Sequence, residues 1–399
     1  MDVLLISRCP PFPLHLGDRL IPYHIARELS ARHHRIDLLA FYQEPEDLAD
    51  VPRYRHLFNS VTLLREPHRS LLSYQRRSDP KARFPRRAEQ SWSPEMWNAI
   101  RQALRTHPYD MVHLFGGVHV YEYRELARQL PNVIVPYESY SLWLDRAIRQ
   151  ERRLIPRMVL NMRRIMARRF ESWMFNGYDR VVVLTDDDAQ ALKSLNPQTP
   201  TAVIPNGVDL DYFSPTGYEP KDPALLFTGN YDYAPNVDAA LRLVRDIFPR
   251  VKRTVPRARV YIVGGNPPPV LQAYASEDVE ITGRVPDMRP YFEFSLIFVS
   301  PLRMGAGIKN KVLEAMAMGK PVVATPLSCD GIPVVQRRHV MLGLSDDDLA
   351  NATIELIQAS ALRRQIAANG RALIEQRFTW RRIAEQYEAL YAQIISERR

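Results

Sequence analysis

The sequence predicts an α/β protein built from two doubly wound, mostly parallel sheets. At 399 residues the chain is longer than one hydrophobic core usually supports. Short apolar runs rich in Val and Ile alternate with segments of helical spacing, and this alternation restarts after a Pro- and Gly-rich stretch at 215–223. In sheets of this kind ligands bind beyond the carboxyl ends of the strands, so we expect the site in those loops, at a cleft between the domains.

The first half contains predicted strands with helical segments between them. Ser93, followed by Pro94, predicts the start of a helix that runs to about 105, and Asp186 is predicted to cap a later one. The Arg-rich stretch after the third strand is predicted to be a long loop or partly disordered insertion, and 143–175 a long basic helix. The predicted strands are 3–6, 36–41, 61–64, 110–115, 133–137, 181–185 and 201–204.

The second half repeats the pattern after the linker at 215–223. Its predicted strands are 224–228, 259–263, 279–282, 296–299, 322–325 and 340–342. Its predicted helices are 236–251, 346–358, 361–376 and 380–397.

Composition excludes several classes of protein. A hydrophobic content of 46% and a charged content of 25% are those of an ordinary globular chain. Cys9 and Cys329 stand far apart, which excludes a disulfide scaffold or a Cys-rich zinc site and fits a reducing compartment. The first apolar run is short and carries Asp2, so it predicts a strand rather than a signal peptide, and no run of about 18 apolar residues exists. We therefore expect a cytoplasmic protein, or one peripheral on the inner face of the membrane.

The net charge of +9 is concentrated in two segments, 65–87 (which includes Arg76) and 146–169. Such segments suit an anionic membrane, a nucleic acid or an anionic substrate, and a solvated basic face explains them equally well. Nucleic acid is disfavoured because aromatic residues do not alternate with the basic residues as stacking platforms would. The segment 143–175 mixes arginines with apolar residues, so it suits either an anionic leaflet or a helix packed on its own domain.

The stretch 305–325 gives the strongest indication of a binding site. It is a Gly-bearing loop, then a helix, then a buried strand, and it follows the strand at 296–299. Unpaired N–H groups and the dipole at a helix N-terminus favour a phosphate, and Lys309 and Lys311 add positive charge. Glu314, about one turn further on, is placed to reach a sugar hydroxyl. An ordinary βαβ connection with two solvated lysines would produce the same pattern.

Five segments in this order resemble the retaining glycosyltransferases of sequence family 4, closest to bacterial exopolysaccharide-type sugar transferases. They are 10–19, 205–209, 227–230, 283–287 and 305–325. The resemblance implies the GT-B fold, with two facing Rossmann-like domains and a cleft between them. It implies an N-terminal acceptor domain at 1–214, on which helix 380–399 packs back, and a C-terminal nucleotide-sugar domain at 223–379.

The resemblance also implies roles for individual residues. Glu314 would hold the donor ribose, and Lys311 would neutralise the charge that grows on the leaving nucleotide. Backbone N–H groups at 307–309 would meet the diphosphate, and residues 284–285 would hold the base. The implied donor-binding residues are Gly17, Gly229, Asn230, Arg284, Val285, Gly305, Gly307, Ile308, Lys309 and Glu314.

The chain departs from the family pattern at three places. Ala306 replaces a second glutamate, and 230–233 lacks the usual Arg and Lys, so we hypothesise that Arg303 supplies a missing cation. Glu138 stands where a histidine is common and is predicted to orient the acceptor or to stabilise positive charge on the sugar. His113, on an apolar strand, is interpreted as a core residue.

The implied function is metal-independent, retaining transfer of a sugar from a nucleotide-diphosphate sugar to a glycan, a lipid-linked acceptor or a small molecule. No cofactor and no metal site is expected; Asp186, Asp187 and Asp188 are interpreted as a complement to a helix dipole. Two alternatives remain open at this stage. One is a GT-B nucleotide-sugar epimerase; the other is a catalytically inactive nucleotide-sugar-binding scaffold, which the loss of the glutamate at Ala306 would suit.

Overall fold

The computed structural model describes residues 1–15, 17–70, 74–75, 77 and 79–399. Leu16 in the Pro-rich loop and Arg76 in the first basic segment lie outside the described residues. The chain forms two compact units, of which the first combines 1–206 with 380–399 and the second is 207–379. The units are described separately below.

The first unit contains a parallel sheet of strand order β3-β2-β1-β4-β5-β6-β7. Its interior strands are mostly buried, as expected for a parallel sheet covered on both faces, whereas the two edge strands are partly exposed. The strands are β1 (Asp2–Ser7), β2 (Arg35–Tyr42), β3 (Ser60–Arg65), β4 (Met111–Phe115), β5 (Asn132–Tyr137), β6 (Arg180–Val183) and β7 (Thr201–Val203).

Helices connect these strands. Ser93 accepts a hydrogen bond from the Met96 N–H and so caps the helix that was predicted from it. The helices are α1 (Gly17–Ala31), α2 (Pro45–Ala49), α3 (Val51–Tyr54), α4 (Pro94–Thr106), α5 (Arg124–Ala127), α6 (Tyr140–Gln150), α7 (Leu154–Met174) and α8 (Asp186–Leu195).

The second unit contains a parallel sheet of strand order β10-β9-β8-β11-β12-β13. The strands are β8 (Ala224–Thr228), β9 (Arg259–Val263), β10 (Val279–Ile281), β11 (Ile297–Ser300), β12 (Val322–Ala324) and β13 (Met341–Leu342). The helices are α9 (Ala234–Arg242), α10 (Phe248–Thr254), α11 (Pro269–Gln272), α12 (Arg289–Phe294), α13 (Asn310–Ala317), α14 (Asp346–Gln358) and α15 (Ser360–Arg377).

The last helix, α16 (Trp380–Arg398), belongs to the first unit and packs on α1. The rings of His24 and Trp380 stack there with centroids 4.8 Å apart. His113 is buried beneath the same helix, and its Nδ1 lies 2.6 Å from the Tyr391 hydroxyl. Burial lowers the pKa of His113 to about 3, so this histidine is a neutral core residue, as interpreted from the sequence.

The predicted helix 143–175 is two helices, so the single-helix prediction was wrong. Helix α6 ends at Gln150, and α7 begins at Leu154. The Glu151 carboxylate accepts a hydrogen bond of 2.9 Å from the Arg153 N–H and turns the chain between the two helices. Pro156 then falls in the first turn of α7, where its missing N–H breaks no helical hydrogen bond.

Two smaller predictions also need correction. The cap of α8 is Thr185 rather than Asp186. The Thr185 hydroxyl accepts a hydrogen bond from the Asp188 N–H, and the three aspartates occupy the first turn of the helix.

The predicted helix 236–251 is interrupted by a π-helical turn at Leu243–Ile247. Pro249 follows in the first turn of α10 and has no N–H to continue the regular helical ladder.

Two arginines of the first basic segment, Arg69 and Arg77, pack into the core of their unit, whereas Arg65, Lys81, Arg86 and Arg87 are exposed. Arg77 forms an ion pair of 2.9 Å with Glu122, and their side chains are 7% and 0% exposed. The guanidinium groups of Arg69 and Arg77 lie 5.2 and 5.1 Å from the Trp92 ring centroid. The charges of Arg69 and Arg77 are therefore used inside the protein.

Candidate functional site

The strand order of the second unit defines where a ligand is expected. Strands β8 and β11 are neighbours, and the chain leaves β8 towards β9 on one side and β11 towards β12 on the other. Such a switch point opens a crevice at the carboxyl ends of the two strands. Gly229 follows β8 at this place, and the loop 301–309 follows β11.

Lys311, Asn236 and Gly229 meet in this crevice. The Lys311 ammonium donates a hydrogen bond of 2.5 Å to Oδ1 of Asn236 and lies 4.4 Å from the centroid of the buried Phe227 ring. The Asn236 Nδ2 donates to the carbonyl oxygen of Asn230 at 2.7 Å. Asn236 therefore connects the loop after β8 to helix α13.

Glycine is required beside this cluster. A Cβ on Gly229 would lie 2.9 Å from the Asn236 Nδ2 and 3.0 Å from the Lys311 Nζ. Gly264 has a φ of +143°, and a Cβ there would lie 1.8 Å from the Gly229 carbonyl oxygen. The ends of β8 and β9 are thus in close backbone contact, and any side chain on Gly229 would displace the lysine.

The two ionisable groups of α13 have strongly shifted pKa values. Burial lowers the pKa of Lys311 to about 7, and the nearby Glu314 offsets this only in part. Burial also raises the pKa of Glu314 to about 7. A lysine and a glutamate that both titrate near neutrality at a switch point are typical of a functional site, because an incoming anion would restore the lysine charge.

The glycine loop before α13 is closed by its own lysine. Gly305 and Gly307 have φ values of +113° and +66°, which only glycine adopts readily. The Lys309 side chain is buried and donates to the carbonyl oxygens of Ala306, at 2.9 Å, and Gly307. The Lys309 ammonium therefore stabilises the loop. The backbone of residues 307–309 lies at the N-terminus of α13, and Lys309 is its N-cap residue.

Three polar side chains hold the strand end from which this loop starts. Thr325 Oγ1 donates to the carbonyl oxygen of Leu302 at 2.6 Å, and Arg242 Nη1 donates to that of Pro301 at 2.9 Å. The Ser328 hydroxyl donates to the Ser300 carbonyl oxygen at 2.6 Å. These buried bonds fix the loop before any ligand arrives, which is the preorganisation that electrostatic stabilisation requires.

Arg303 does not join the lysine cluster as a free cation. Its guanidinium forms two hydrogen bonds, of 2.6 and 2.8 Å, with the carboxylate of Asp238. This pair neutralises Arg303 locally and argues against the hypothesis that it replaces the missing family cations. Arg284 is exposed on the loop after β10, next to the half-buried Val285, and a Cβ on Gly265 would lie 3.9 Å from its Cβ.

The two predicted residues of the first unit lie at the carboxyl ends of its strands. Gly17 opens α1 and is exposed. The carbonyl oxygen of the next residue, Asp18, accepts a hydrogen bond of 3.2 Å from the Tyr137 hydroxyl. Glu138 follows β5 directly after Tyr137, which has a φ of +72°. Such a strained non-glycine backbone persists only where the surroundings fix it.

Those surroundings are two carboxylates, Glu171, which sequence reasoning missed, and Asp188, which was interpreted only as a complement to a helix dipole. Buried Glu171 of α7 accepts from the N–H groups of Tyr140, at 2.7 Å, and Ser141, at 3.2 Å. Asp188 of α8 accepts from the Ser139 N–H at 2.9 Å. The backbone after Glu138 is thereby fixed by two helices far along the chain, and no local pattern signals that contact.

A second missed cluster follows β3 and β4. The His119 Nδ1 lies 2.7 Å from a Glu66 carboxylate oxygen, and Arg69 Nη2 donates to the His119 carbonyl oxygen at 3.0 Å. Burial alone would raise the pKa of Glu66, but hydrogen bonds to His119 and Gln43 lower it to about 2. Among the residues outside the six undescribed positions, no group of three His, Cys, Asp or Glu side chains is placed to hold a metal ion.

The two parallel sheets with their connecting helices define a protein of GT-B fold, built from two Rossmann-like units. Residues 22–212 match the model of Glycosyltransferase Family 4, and residues 222–359 match that of Glycosyl transferases group 1. The chain belongs to the family-4-like glycosyltransferases of GT-B fold. The predicted fold class and the membership of glycosyltransferase family 4 are thus confirmed, whereas the retaining mechanism and the exopolysaccharide type stay predictions.

Individual relatives are more distant. The chain is 28% identical over 240 residues to D-inositol 3-phosphate glycosyltransferase of Mycobacterium avium. The aligned region covers 55% of this chain and 56% of that protein. The chain spans about half the length of the curated relatives that it matches.

Solved structures match nearly the whole chain. Sucrose-phosphate synthase from Thermosynechococcus elongatus has a TM-score of 0.72 at 19% identity and 99% coverage of both chains. Anabaena HepE in complex with UDP-glucose has a TM-score of 0.66 at 15% identity and 100% coverage of both. At these identities the likeness establishes the fold. Within the described residues, no helix is long and apolar enough to cross a membrane.

Proposed function

We propose that this protein transfers a sugar from a nucleoside-diphosphate sugar, held by the second unit, to an acceptor held by the first. The observation that carries the proposal is the Lys311 ammonium, held by Asn236 beside Gly229 at the N-terminal turn of α13. Family membership and the structural match to a protein solved with UDP-glucose support the choice of donor.

In this mechanism Lys311 and the helix-terminal amides act on the leaving diphosphate. Negative charge grows on the diphosphate as the glycosidic bond breaks, and a buried cation nearby stabilises it more strongly than one in water would. Donor binding restores the full charge of Lys311, whose pKa burial lowers to about 7. One such interaction contributes about 3 kcal/mol to transition-state stabilisation.

Glu314 and the loop after β10 position the rest of the donor. The half-buried Glu314 carboxylate lies one turn along α13 from the diphosphate end and would accept hydrogen bonds from the ribose hydroxyls. Arg284 and Val285 would contact the base. We propose transfer with retention of configuration, which the family resemblance implies. We also propose that no metal ion is needed, since a lysine and a helix N-terminus would stabilise the diphosphate in place of a divalent cation.

The acceptor side rests on Gly17 and Glu138. The backbone directly after Glu138 is fixed by Glu171 and Asp188, and we propose that the Glu138 carboxylate acts on an acceptor hydroxyl or on the charged sugar ring. The acceptor class is a glycan, a lipid-linked glycan or a small molecule, taken up by a cytoplasmic protein at the inner membrane face.

A turnover screen tests the proposal. UDP-, GDP- and ADP-sugars are offered with and without lipid-linked and soluble acceptors, and release of free nucleotide is followed. We expect acceptor-dependent release with one donor and its loss in the Lys311→Met variant. Epimerised donor without any acceptor would instead identify an epimerase. Tight nucleotide binding with no release under any condition would identify a scaffold.

A further inference from the structure

Helix α7 presents an apolar face to solvent. Leu154, Ile155, Met162 and Ile165 are 74%, 76%, 66% and 64% exposed, and Met158, Val159 and Met166 are exposed as well. At 100° per residue these seven positions fall within an arc of about 140° on one side of the helix. The opposite side, with Ala167 and Glu171, is buried. The exposed side of this helix is therefore the apolar one.

Arginines surround this apolar face. The segment 149–169 contains eight arginines and one acidic residue, Glu151. On the helix, Arg157 and Arg168 lie along one edge of the apolar arc and Arg163 along the other, and all three are exposed. Their exposure makes these guanidinium groups accessible to an anionic partner.

A pocket of about 560 Å³ lies between α6 and α7, next to the apolar face. Its walls carry Arg149, Arg164 and Arg168 together with Asp145, which pairs with Arg164 at 3.1 Å and Arg168 at 3.8 Å. One carboxylate thus offsets one of three positive charges. The excess charge suits a phosphate group. Ile165 belongs to both the pocket and the apolar face, so the two surfaces are continuous.

We propose that this surface, the apolar face of α7 with the adjoining arginine pocket, binds an anionic lipid bilayer. The apolar side chains enter the boundary between headgroups and acyl chains, and the pocket takes a lipid phosphate. A second copy of this chain is the less suitable occupant, because pairing two such faces would bring both arginine sets together. The inference extends the proposed function, since it provides a surface at which a lipid-linked acceptor can be reached.

Vesicle binding by the full-length chain, measured without any sugar donor, tests the inference independently of transferase activity. We expect co-sedimentation with vesicles that contain phosphatidylglycerol, little with pure phosphatidylcholine, and weaker binding at high salt. The triple variant Ile155→Gln, Met162→Gln, Ile165→Gln should bind at least about tenfold more weakly. The double variant Arg149→Gln, Arg168→Gln should bind anionic vesicles about tenfold more weakly than the parent, with no change in its binding to neutral vesicles.

Matched controls lie in the second unit. Val270→Gln and Leu344→Gln remove apolar side chains that are 57% and 81% exposed, and Arg253→Gln with Arg257→Gln removes two exposed arginines. We expect unchanged vesicle binding in all of them. Inorganic phosphate as a competitor should weaken binding of the parent chain more than that of the arginine-pocket variant, if the pocket holds a lipid phosphate.

A site-specific probe gives a second readout. Both native cysteines are buried, so Ile155→Cys can be labelled with an environment-sensitive dye, with Val270→Cys as the control. A blue shift on anionic vesicles at position 155 alone is expected. No binding to anionic vesicles, equal binding by the triple variant and the parent, or a dimer in solution that the triple variant breaks would overturn the inference.

Discussion

Asn236 holds Lys311 at 2.5 Å from its Oδ1, across 75 positions of sequence. The asparagine is buried, and its amide nitrogen is bonded to the Asn230 carbonyl, so it presents only its oxygen to the lysine. The contact keeps a poorly solvated ammonium in one position before the donor arrives. Several expectations depend on this pair.

Replacing Lys311 with Met should lower turnover about a hundredfold, because one preorganised charge on the leaving group contributes about 3 kcal/mol. The substitution removes a poorly solvated charge but leaves Oδ1 of the buried Asn236 without its donor, so the two effects oppose each other and the melting temperature of the ligand-free protein should change little. Kinetics and thermal unfolding check both parts, and Lys221→Met, at an exposed position, is the control. Equal turnover in parent and variant would exclude Lys311 from the reaction.

Donor binding should take up protons near neutral pH. Free Lys311 has a pKa of about 7, and a bound diphosphate raises it, so nucleotide affinity should fall as the pH rises above 7. Titration calorimetry with UDP in buffers of different ionisation enthalpy measures the uptake. The Lys311→Met variant should show none, whereas Glu314→Gln should retain it. Proton release on binding would contradict the assignment.

Gly229→Ala should weaken nucleotide binding and cost about 1–3 kcal/mol of stability, because the added methyl group would overlap Asn236 and Lys311. Gly265→Ala is a matched control in the same region, since its methyl group would meet the Arg284 Cβ at an ordinary 3.9 Å. Chemical denaturation and a UDP-induced thermal shift measure the two effects. Similar behaviour of both variants would show that the crowding at 229 is relieved elsewhere.

The ion pair with Asp238 leads to a definite expectation for Arg303. Because its charge is already neutralised, Arg303→Gln should lower turnover less than tenfold, far less than Lys311→Met does. Steady-state kinetics of the two variants side by side decide the matter. A loss as large as that of Lys311→Met would restore Arg303 as the missing cation.

Buried Arg77 and Glu122 provide a test of stability. Arg77→Met leaves the Glu122 carboxylate without its ion-pair partner in the core, which typically costs 3–5 kcal/mol. Burial already raises the pKa of Glu122 to about 7, so the carboxyl of the variant should be neutral at pH 5 and the loss smaller there. Urea unfolding of the parent and the variant at pH 5 and pH 8 measures the loss of stability at each pH. A loss that is independent of pH would place the effect in packing alone.

Sequence reasoning succeeded where a local pattern carries the information. Ser93 before Pro94 marked the start of α4, and the apolar runs marked the strands of both sheets. Sequence reasoning failed where the deciding contact is long-range. Asn236 looks like any residue early in a helix, and nothing near Lys309 shows that its ammonium turns back onto the loop. The break between α6 and α7 was missed although residues 149–153 contain no apolar side chain and Pro156 follows them, a local signal that the single-helix prediction did not use.

The positions at which the chain enters and leaves the second unit have a practical consequence. Val208 and Thr379 form a parallel bridge, and the Val208 N–H donates to the Phe378 carbonyl oxygen at 2.7 Å, so the second unit begins and ends at neighbouring backbone positions. In genetic terms it is an insertion whose two junctions adjoin. Residues 207–379 can therefore be excised as one cassette and the flanking ends rejoined by a short spacer, whereas cutting the gene after codon 379 would strip the first unit of a helix it needs.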